Sequence, residues 1–66
     1  MEKYWWGLYG GPYDFQEGYE ESSPRALARA RANAAGGEFL VIVFGHYAAD
    51  GVFEKEDTVF RGRLDA

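Results

Sequence analysis

Cysteine is absent from the sequence, so neither a disulfide nor a thiolate metal site is available to stabilise the fold. This absence suits a reducing environment, and we expect a cytoplasmic protein. No stretch approaches the ~18 consecutive apolar residues of a membrane-spanning helix. The first apolar stretch is too short, and too rich in Trp and Tyr, for a secretory signal. We therefore expect no membrane contact, and no motif indicates a cofactor.

The shortness of the chain limits how it can be stabilised. Its 66 residues have room for one domain, residues 1–66, without a linker. A domain this small buries only about 60% of the surface that its unfolded chain exposes. Below about 70 residues, a fold usually needs a disulfide, a metal, a partner subunit or an unusually rich core. Because disulfides are excluded, an aromatic core and a partner subunit are the remaining candidates.

Positive charge is scarce, and the formal net charge is -4. Residues 1–24 sum to -4, residues 25–37 to +3 and residues 38–66 to -3. An acidic chain repels the phosphates that supply most non-specific affinity for nucleic acid. We therefore do not expect nucleic acid as a partner.

Aromatic residues are abundant near the start of the chain. Residues 4–20 read YWWGLYGGPYDFQEGYE, with seven aromatics in seventeen positions. The alternation in residues 3–9 predicts a β-strand with aromatics on both faces. One face would carry Tyr4, Trp6 and Leu8, and the other Trp5 and Tyr9.

A turn and a returning strand should follow. Gly10-Gly11-Pro12 predicts the turn, because proline cannot donate to a strand ladder. The returning segment, YDFQEGY, has one aromatic and one polar side, and Gly18 within it indicates a bulge or bend. The aromatic side comprises Tyr13, Phe15 and Tyr19, interrupted by Glu17.

A helix is predicted at about residues 24–35. Ser23 is placed to cap it and Pro24 to occupy its first position, while Gly36-Gly37 can end it in a left-handed conformation. The helix would have an apolar stripe and an opposite polar stripe. They comprise Ala26, Leu27, Ala30 and Ala34 on one side, and Arg25, Arg29 and Asn33 on the other. Alanines bury little area, so the sheet must provide most of the core.

Two more strands complete the predicted fold. EFLVIVFGHY, residues 38–47, reads as a central strand, with Phe39, Val41 and Val43 on one face and Leu40, Ile42 and Phe44 on the other. Asp50-Gly51 predicts a type I′ hairpin turn, followed by a strand beginning at Val52-Phe53. Residues 54–57 should form a solvated excursion before an edge strand at residues 58–61. The fold class is α+β, with order β-β-α-β-β and one Ala-rich helix on one face of a four-stranded antiparallel sheet.

Catalytic and metal-binding patterns are weak. His46 is the only histidine, with Asp50 four residues later, but a triad also needs a nucleophile. The only serines, Ser22 and Ser23, are better placed at the helix start. Four carboxylates cluster in sequence: Asp50, Glu54, Glu56 and Asp57. Their order does not match a calcium loop, so no metal site and no catalytic residue is predicted.

A secondary charged surface is expected near the helix, comprising Arg25, Arg29, Asn33, Glu20 and Glu21. Its arginines could contact phosphates. The interpretation that we favour is that they are solvated or paired with glutamates. Three other functions stay open, one of them an enzyme or enzyme subunit that uses His46. The acidic segments could imitate a phosphate backbone, or aromatics on an open sheet could stack on unpaired bases.

The aromatic stretch carries our main hypothesis. One helix covers one face of a sheet, so the aromatics of the other face should form an apolar patch that binds a protein target or a second copy. The predicted contact residues are Trp5, Trp6, Tyr4, Tyr9 and Tyr13. The chain would act by occlusion or recruitment, as small acidic phage-encoded inhibitors do. The alternative is that the C-terminal strands curl the sheet and bury these rings internally.

Overall fold

The structure, a computed structural model, describes residues 2–11 and 14–64. The elements in chain order are β1 (Glu2–Tyr9), β2 (Phe15–Glu20), α1 (Ser23–Asn33), β3 (Phe39–Tyr47) and β4 (Phe53–Arg63). The strands form one antiparallel sheet in the order β2-β1-β3-β4, with α1 on one face. The predicted α+β fold is therefore confirmed. Among the described residues, the single helix, α1, has 11 residues and is too short to cross a membrane.

The core lies between α1 and the two central strands. Its buried side chains are Trp6, Leu8, Leu40 and Ile42 from the sheet, Ala26 and Ala30 from the helix, and Leu64. The register pairs Trp6 with Ile42 and Leu8 with Leu40, which confirms the predicted faces of both strands. Alanines let the helix approach closely, so the larger sheet residues supply most of the buried apolar area.

The helix begins one residue earlier than predicted and ends earlier as well. Ser22, not Ser23, is the N-cap: it is extended, and its Oγ accepts a hydrogen bond from Arg25 N at 3.3 Å. Ser23 is already helical, and Pro24 still lies in the first turn, where its missing N–H costs nothing. The helix ends at Asn33, so the left-handed Gly36 and Gly37 belong to the following loop.

A buried carboxylate organises that loop. Glu38 is 1% exposed, and its carboxylate accepts hydrogen bonds from Ala35 N at 2.7 Å and Gly36 N at 2.6 Å. The bond from Ala35 is the main cause that lowers the pKa of Glu38, against the opposing effect of burial. Backbone bonds of Gly37 and Glu38 with Leu64 attach the end of β4 to the same loop.

The β3–β4 turn differs from the predicted type I′ turn. Only Gly51 has positive φ, at 85°, whereas Asp50 does not. Gly51 N donates to Ala48 O, and Ala48 N donates to Val52 O, each at 2.9 Å. The loop is therefore one residue longer than the two-residue loop of a type I′ turn. Asp50 does not adopt the left-handed conformation that a type I′ turn requires, and its carboxylate accepts a hydrogen bond from Val52 N.

Strand β4 is longer than predicted. Residues 54–57 belong to the strand rather than to an excursion, although they are solvent-exposed as expected. The pairing with β3 shifts register twice, between Ile42 and Val43 and between Phe44 and Gly45. Such one-residue bulges absorb extra residues without ending a strand, and an edge strand tolerates charged side chains.

Candidate functional site

The sheet face opposite α1 is the candidate site, and we name it the open face. No described helix or strand lies over it. The strand registers place on it Lys3, Trp5, Gly7 and Tyr9 from β1, Phe15, Glu17 and Tyr19 from β2, Phe39, Val41, Val43, Gly45 and Tyr47 from β3, and Phe53, Lys55, Thr58, Arg61 and Arg63 from β4. We call the other face the helix side.

Trp5 lies on the open face but is only 6% exposed. Its indole ring lies flat over Gly7, where an added Cβ would overlap the ring. Trp5 Nε1 donates to Glu17 Oε1 at 2.7 Å, and Lys55 Nζ lies 4.1 Å from the ring centroid. The expectation that Trp5 is an exposed contact residue is therefore wrong, because three neighbouring residues enclose it.

Trp6 and Tyr4 lie on the helix side. Trp6 is 4% exposed, and its indole lies over Gly18, its partner on β2. The β1–β2 register is uninterrupted, so Gly18 is no bulge, and its missing side chain makes room for the indole. Tyr4 is half-buried and packs on Phe44, with ring centroids 5.1 Å apart. Neither ring is available on the open face, contrary to expectation.

Exposed and half-buried rings of the open face form two groups. Tyr9 and Phe15 are 41% and 42% exposed, and their ring centroids lie 5.0 Å apart. Tyr19, Tyr47 and Phe53 contact one another at 5.2–5.7 Å. Burial is the main cause that raises the pKa of Tyr19, followed by the proximity of Tyr47. Tyr9 is thus the one predicted contact residue found exposed here, while Tyr13 lies outside the described residues.

Besides Lys3, which lies 3.5 Å from Glu21, three cations share this face with the rings. Lys55 lies over Trp5, the Arg61 guanidinium carbon lies 6.0 Å from the Phe39 ring centroid, and Arg63 Nη1 donates to Gly37 O at 2.8 Å. The sequence prediction does not group these residues, because its last strand spans only residues 58–61. All three occupy odd positions, but this parity is a weak signal, because the two bulges place Thr58 on the open face and Asp57 on the helix side.

Rings and cations meet in a shallow groove of about 360 Å³. Its lining residues are Tyr9, Phe39, Val41, Thr58 and Arg61. The groove therefore offers apolar contact and a guanidinium side by side. Such a surface can hold an apolar side chain next to an anionic group.

The predicted secondary charged surface is a set of solvated pairs. Arg29 Nε lies 3.5 Å from Glu20 Oε2, and Asn33 Nδ2 donates to Arg29 O at 2.8 Å. Glu21 lies 3.5 Å from Lys3 Nζ instead, and the Arg25 side chain is exposed beside the start of α1. The structure thus brings Arg29, Asn33 and Glu20 together but leaves Glu21 apart.

His46 contacts two carboxylates on β4 rather than Asp50. Its Nδ1 lies 2.7 Å from Glu56 Oε2 and its Nε2 lies 3.0 Å from Glu54 Oε1. The bond with Glu56 is the main cause that raises the pKa of His46. Both ring nitrogens face acceptors, an arrangement that suits an imidazolium with two N–H donors.

The described residues contain no group of three or more His, Asp or Glu side chains arranged to hold a metal ion. The open face instead combines exposed rings, a groove and three cations that have no carboxylate partner among the described side chains, and these features suit the binding of another molecule. Comparison of the chain with protein families, curated proteins and solved structures finds no match, so the function must be argued from this surface.

Proposed function

We propose that the protein is a non-catalytic binding module whose open face docks on another protein. The observation that carries this proposal is the exposure of Tyr9, Phe15 and Tyr19, each about 40% accessible, on a sheet face that none of the described helices and strands covers. A sheet normally buries an apolar face against another element. A partner protein would complete the layer that this chain lacks, and the complex would act by occlusion or recruitment.

The arrangement of the rings supports docking of a protein. Tyr is enriched at interface hot spots, because it combines large apolar area with a polar tip. The rings already pack in groups, which lowers the side-chain entropy that binding would otherwise cost. Trp5 supports the surface from below, held between Gly7, Glu17 and Lys55. The face is therefore preorganised before a partner arrives.

Single-stranded nucleic acid is the closest alternative, because cations border the exposed rings. Proteins that bind single strands present rings on which successive bases stack. Here, rings in contact on the open face are tilted by 40–71° to each other, so they do not form one platform. Trp5, the largest ring on the face, is buried. The geometry therefore favours a protein partner.

The positions of the Glu side chains support mimicry of nucleic acid less than they support a protein-binding module. A mimic needs free carboxylates in place of phosphates, whereas Glu20 and Glu21 lie beside Arg29 and Lys3. Glu54 and Glu56 both contact His46. These carboxylates are partly neutralised by intramolecular partners. The same contacts give His46 acidic neighbours rather than a nucleophile, which supports a non-catalytic role.

Site-specific photo-crosslinking tests this proposal. A benzophenone side chain replaces Phe15 on the open face or Phe60 on the helix side, and the tagged chain is expressed in its source cells. The two positions are matched, because both are edge-strand phenylalanines with 42% and 36% exposure. We expect a discrete protein adduct from position 15 and none from position 60, identified by mass spectrometry.

Two outcomes would contradict the proposal. One is the absence of any protein adduct from position 15 when the labelled chain is folded and expressed. The other is the same adduct in equal yield from both positions, because that would remove the distinction between the two faces. Circular dichroism of each labelled chain confirms that it is folded.

A further inference from the structure

Charge is distributed unevenly between the two faces of the sheet. Strand β4 places Lys55, Arg61 and Arg63 on the open face, while Glu54 lies on the helix side, opposite His46. Glu56 also reaches His46. The strand thus separates its cations from its glutamates, and the open face carries positive charge although the chain as a whole is acidic.

Within the described part of the chain, these three cations have no acidic partner. Among the side chains of residues 3–11 and 14–64, no carboxylate lies within 4.0 Å of a charged nitrogen of Lys55, Arg61 or Arg63. Arg61 and Arg63 are exposed, and Arg63 uses one of its nitrogens to bind Gly37 O. A guanidinium has five N–H donors, so both arginines keep donors for a partner.

The net charge of -4 does not cancel this local field. The molecule measures 38 × 20 × 16 Å, so a ligand on one face is well separated from charges on the other. The Debye length is about 8 Å at physiological ionic strength. Among the described residues, a ligand at the open face therefore senses mainly Lys55, Arg61 and Arg63, because Glu17 is bonded to Trp5 and Lys3 is paired with Glu21.

A second copy does not suit this charge pattern as well as an acidic partner does. Two open faces that meet would bring two sets of Lys55, Arg61 and Arg63 into one interface, and like charges brought together oppose association. Among the described residues, the acids on or beside this face are Glu17 and Glu21, and they already contact Trp5 and Lys3. Charge complementarity therefore favours a different molecule.

We infer that the open face recognises an acidic segment of its partner protein, and this inference rests on the proposed function. Carboxylates of the segment bind Arg61 and Arg63, and an apolar or aromatic side chain enters the groove between Tyr9 and Phe39. Arginine binds carboxylates through paired, charge-assisted hydrogen bonds. The rings then exclude water from around these bonds, which strengthens them.

Fluorescence anisotropy with three labelled probes of equal length tests the inference. The probes are a peptide of alternating Glu and Tyr, a peptide of alternating Lys and Tyr, and oligothymidylate. We expect the Glu-Tyr peptide to bind best, with affinity that falls as salt rises. Arg61→Glu should weaken this binding about fivefold or more, the equivalent of about 1 kcal/mol.

Arg31→Glu is the matched control, because Arg31 is exposed on α1 and the substitution changes the net charge equally. It should alter the affinity less than about twofold, as expected for a distant screened charge. Circular dichroism confirms that both variants fold. Equal losses in the two variants would show that only the net charge matters and would overturn the inference.

Other results would also overturn it. If the Glu-Tyr peptide fails to bind at low salt, an acidic segment is excluded as the ligand. If oligothymidylate binds more tightly, the ligand of the open face is nucleic acid. If sedimentation equilibrium shows a dimer that Phe15→Ser dissociates and Arg61→Glu does not, the open face binds a second copy of the chain. If crosslinking at position 15 captures a protein while Arg61→Glu has no effect, this inference fails and the proposed function stands.

Discussion

Glycine explains how a chain this small can bury both of its tryptophans. Gly7 lies two residues after Trp5 on the same strand face and leaves a flat surface for its indole. Gly18 does the same for Trp6 from the neighbouring strand. Aromatic rings that cover strand glycines recover the packing that glycine itself cannot supply. The glycines of the aromatic stretch are therefore packing positions as well as turn residues.

Gly7→Ala tests this packing. The new methyl group would overlap the Trp5 ring, so the indole must move toward solvent. We expect the free energy of unfolding to fall by about 1–3 kcal/mol, as overpacking usually costs. Tryptophan emission should also shift to longer wavelength. Urea unfolding monitored by fluorescence measures both effects.

Gly62→Ala is the matched control for that substitution. Gly62 also lies within a strand, but a Cβ there meets its nearest neighbour, Phe60, at an ordinary 3.7 Å. The change in stability should stay within about 0.5 kcal/mol. Equal destabilisation by the two alanines would mean that the Trp5–Gly7 contact is not special.

The raised pKa of His46 leads us to expect that the free energy of unfolding depends on pH. Its pKa is raised above the ordinary 6.5, chiefly by the hydrogen bond with Glu56. Protonation of His46 therefore stabilises the folded state, fully below pH 6.5 and progressively less as pH rises through the raised pKa. The urea midpoint should decline over this interval, by a modest amount because the pair is exposed.

Substitution of the acid checks the cause of that decline. Glu56→Gln should bring the pKa of His46, measured by NMR of this single imidazole, closer to 6.5 and flatten the stability profile. An unchanged pKa in Glu56→Gln would refute the role of this contact. His46→Gln, which cannot titrate, should remove the same decline.

At the scale of elements, most of the fold could be predicted from the sequence, because local periodicity determines most of the strands and the helix. Two-residue alternation identified the faces of β1 and β3, and the Ser-Pro and alanine pattern identified α1. The sequence predicts only part of β4 as strand, because charged residues and two bulges interrupt the alternation that marks an edge strand. For the same reason it does not predict that the cations of β4 share one face. Cross-strand contacts such as Trp6 over Gly18 depend on register, which local sequence does not contain.

The position of the helix cap is a prediction at this scale. Ser22→Ala removes the acceptor for Arg25 N, so it should lower the free energy of unfolding by about 0.5–1 kcal/mol. Ser23→Ala should change it by less than about 0.5 kcal/mol, because Ser23 is already helical. Urea unfolding followed by circular dichroism compares the two. A larger loss in Ser23→Ala would place the cap at the second serine.

At the scale of the molecule, one helix and one sheet leave a fold with two unlike sides. The helix side contains the main core, whereas the open face carries half-exposed rings and cations without a carboxylate partner among the described residues. No described helix or strand covers the open face, as expected, but the tryptophans are not what it exposes. Side chains alone enclose Trp5, and smaller rings remain at the surface. A binding surface and a stable protomer are thus compatible in one short chain.

Hydroxyl-radical footprinting of the purified protein at low concentration measures this arrangement most directly. Tryptophan is intrinsically more reactive than tyrosine or phenylalanine, so burial should reverse the usual order of oxidation. We expect Tyr9, Phe15 and Tyr19 to be oxidised readily, while Trp5 and Trp6 are protected until urea unfolds the chain. Protection of those three surface rings together with Trp6 in the dilute protein would show that the second face is covered, and would contradict an open docking face.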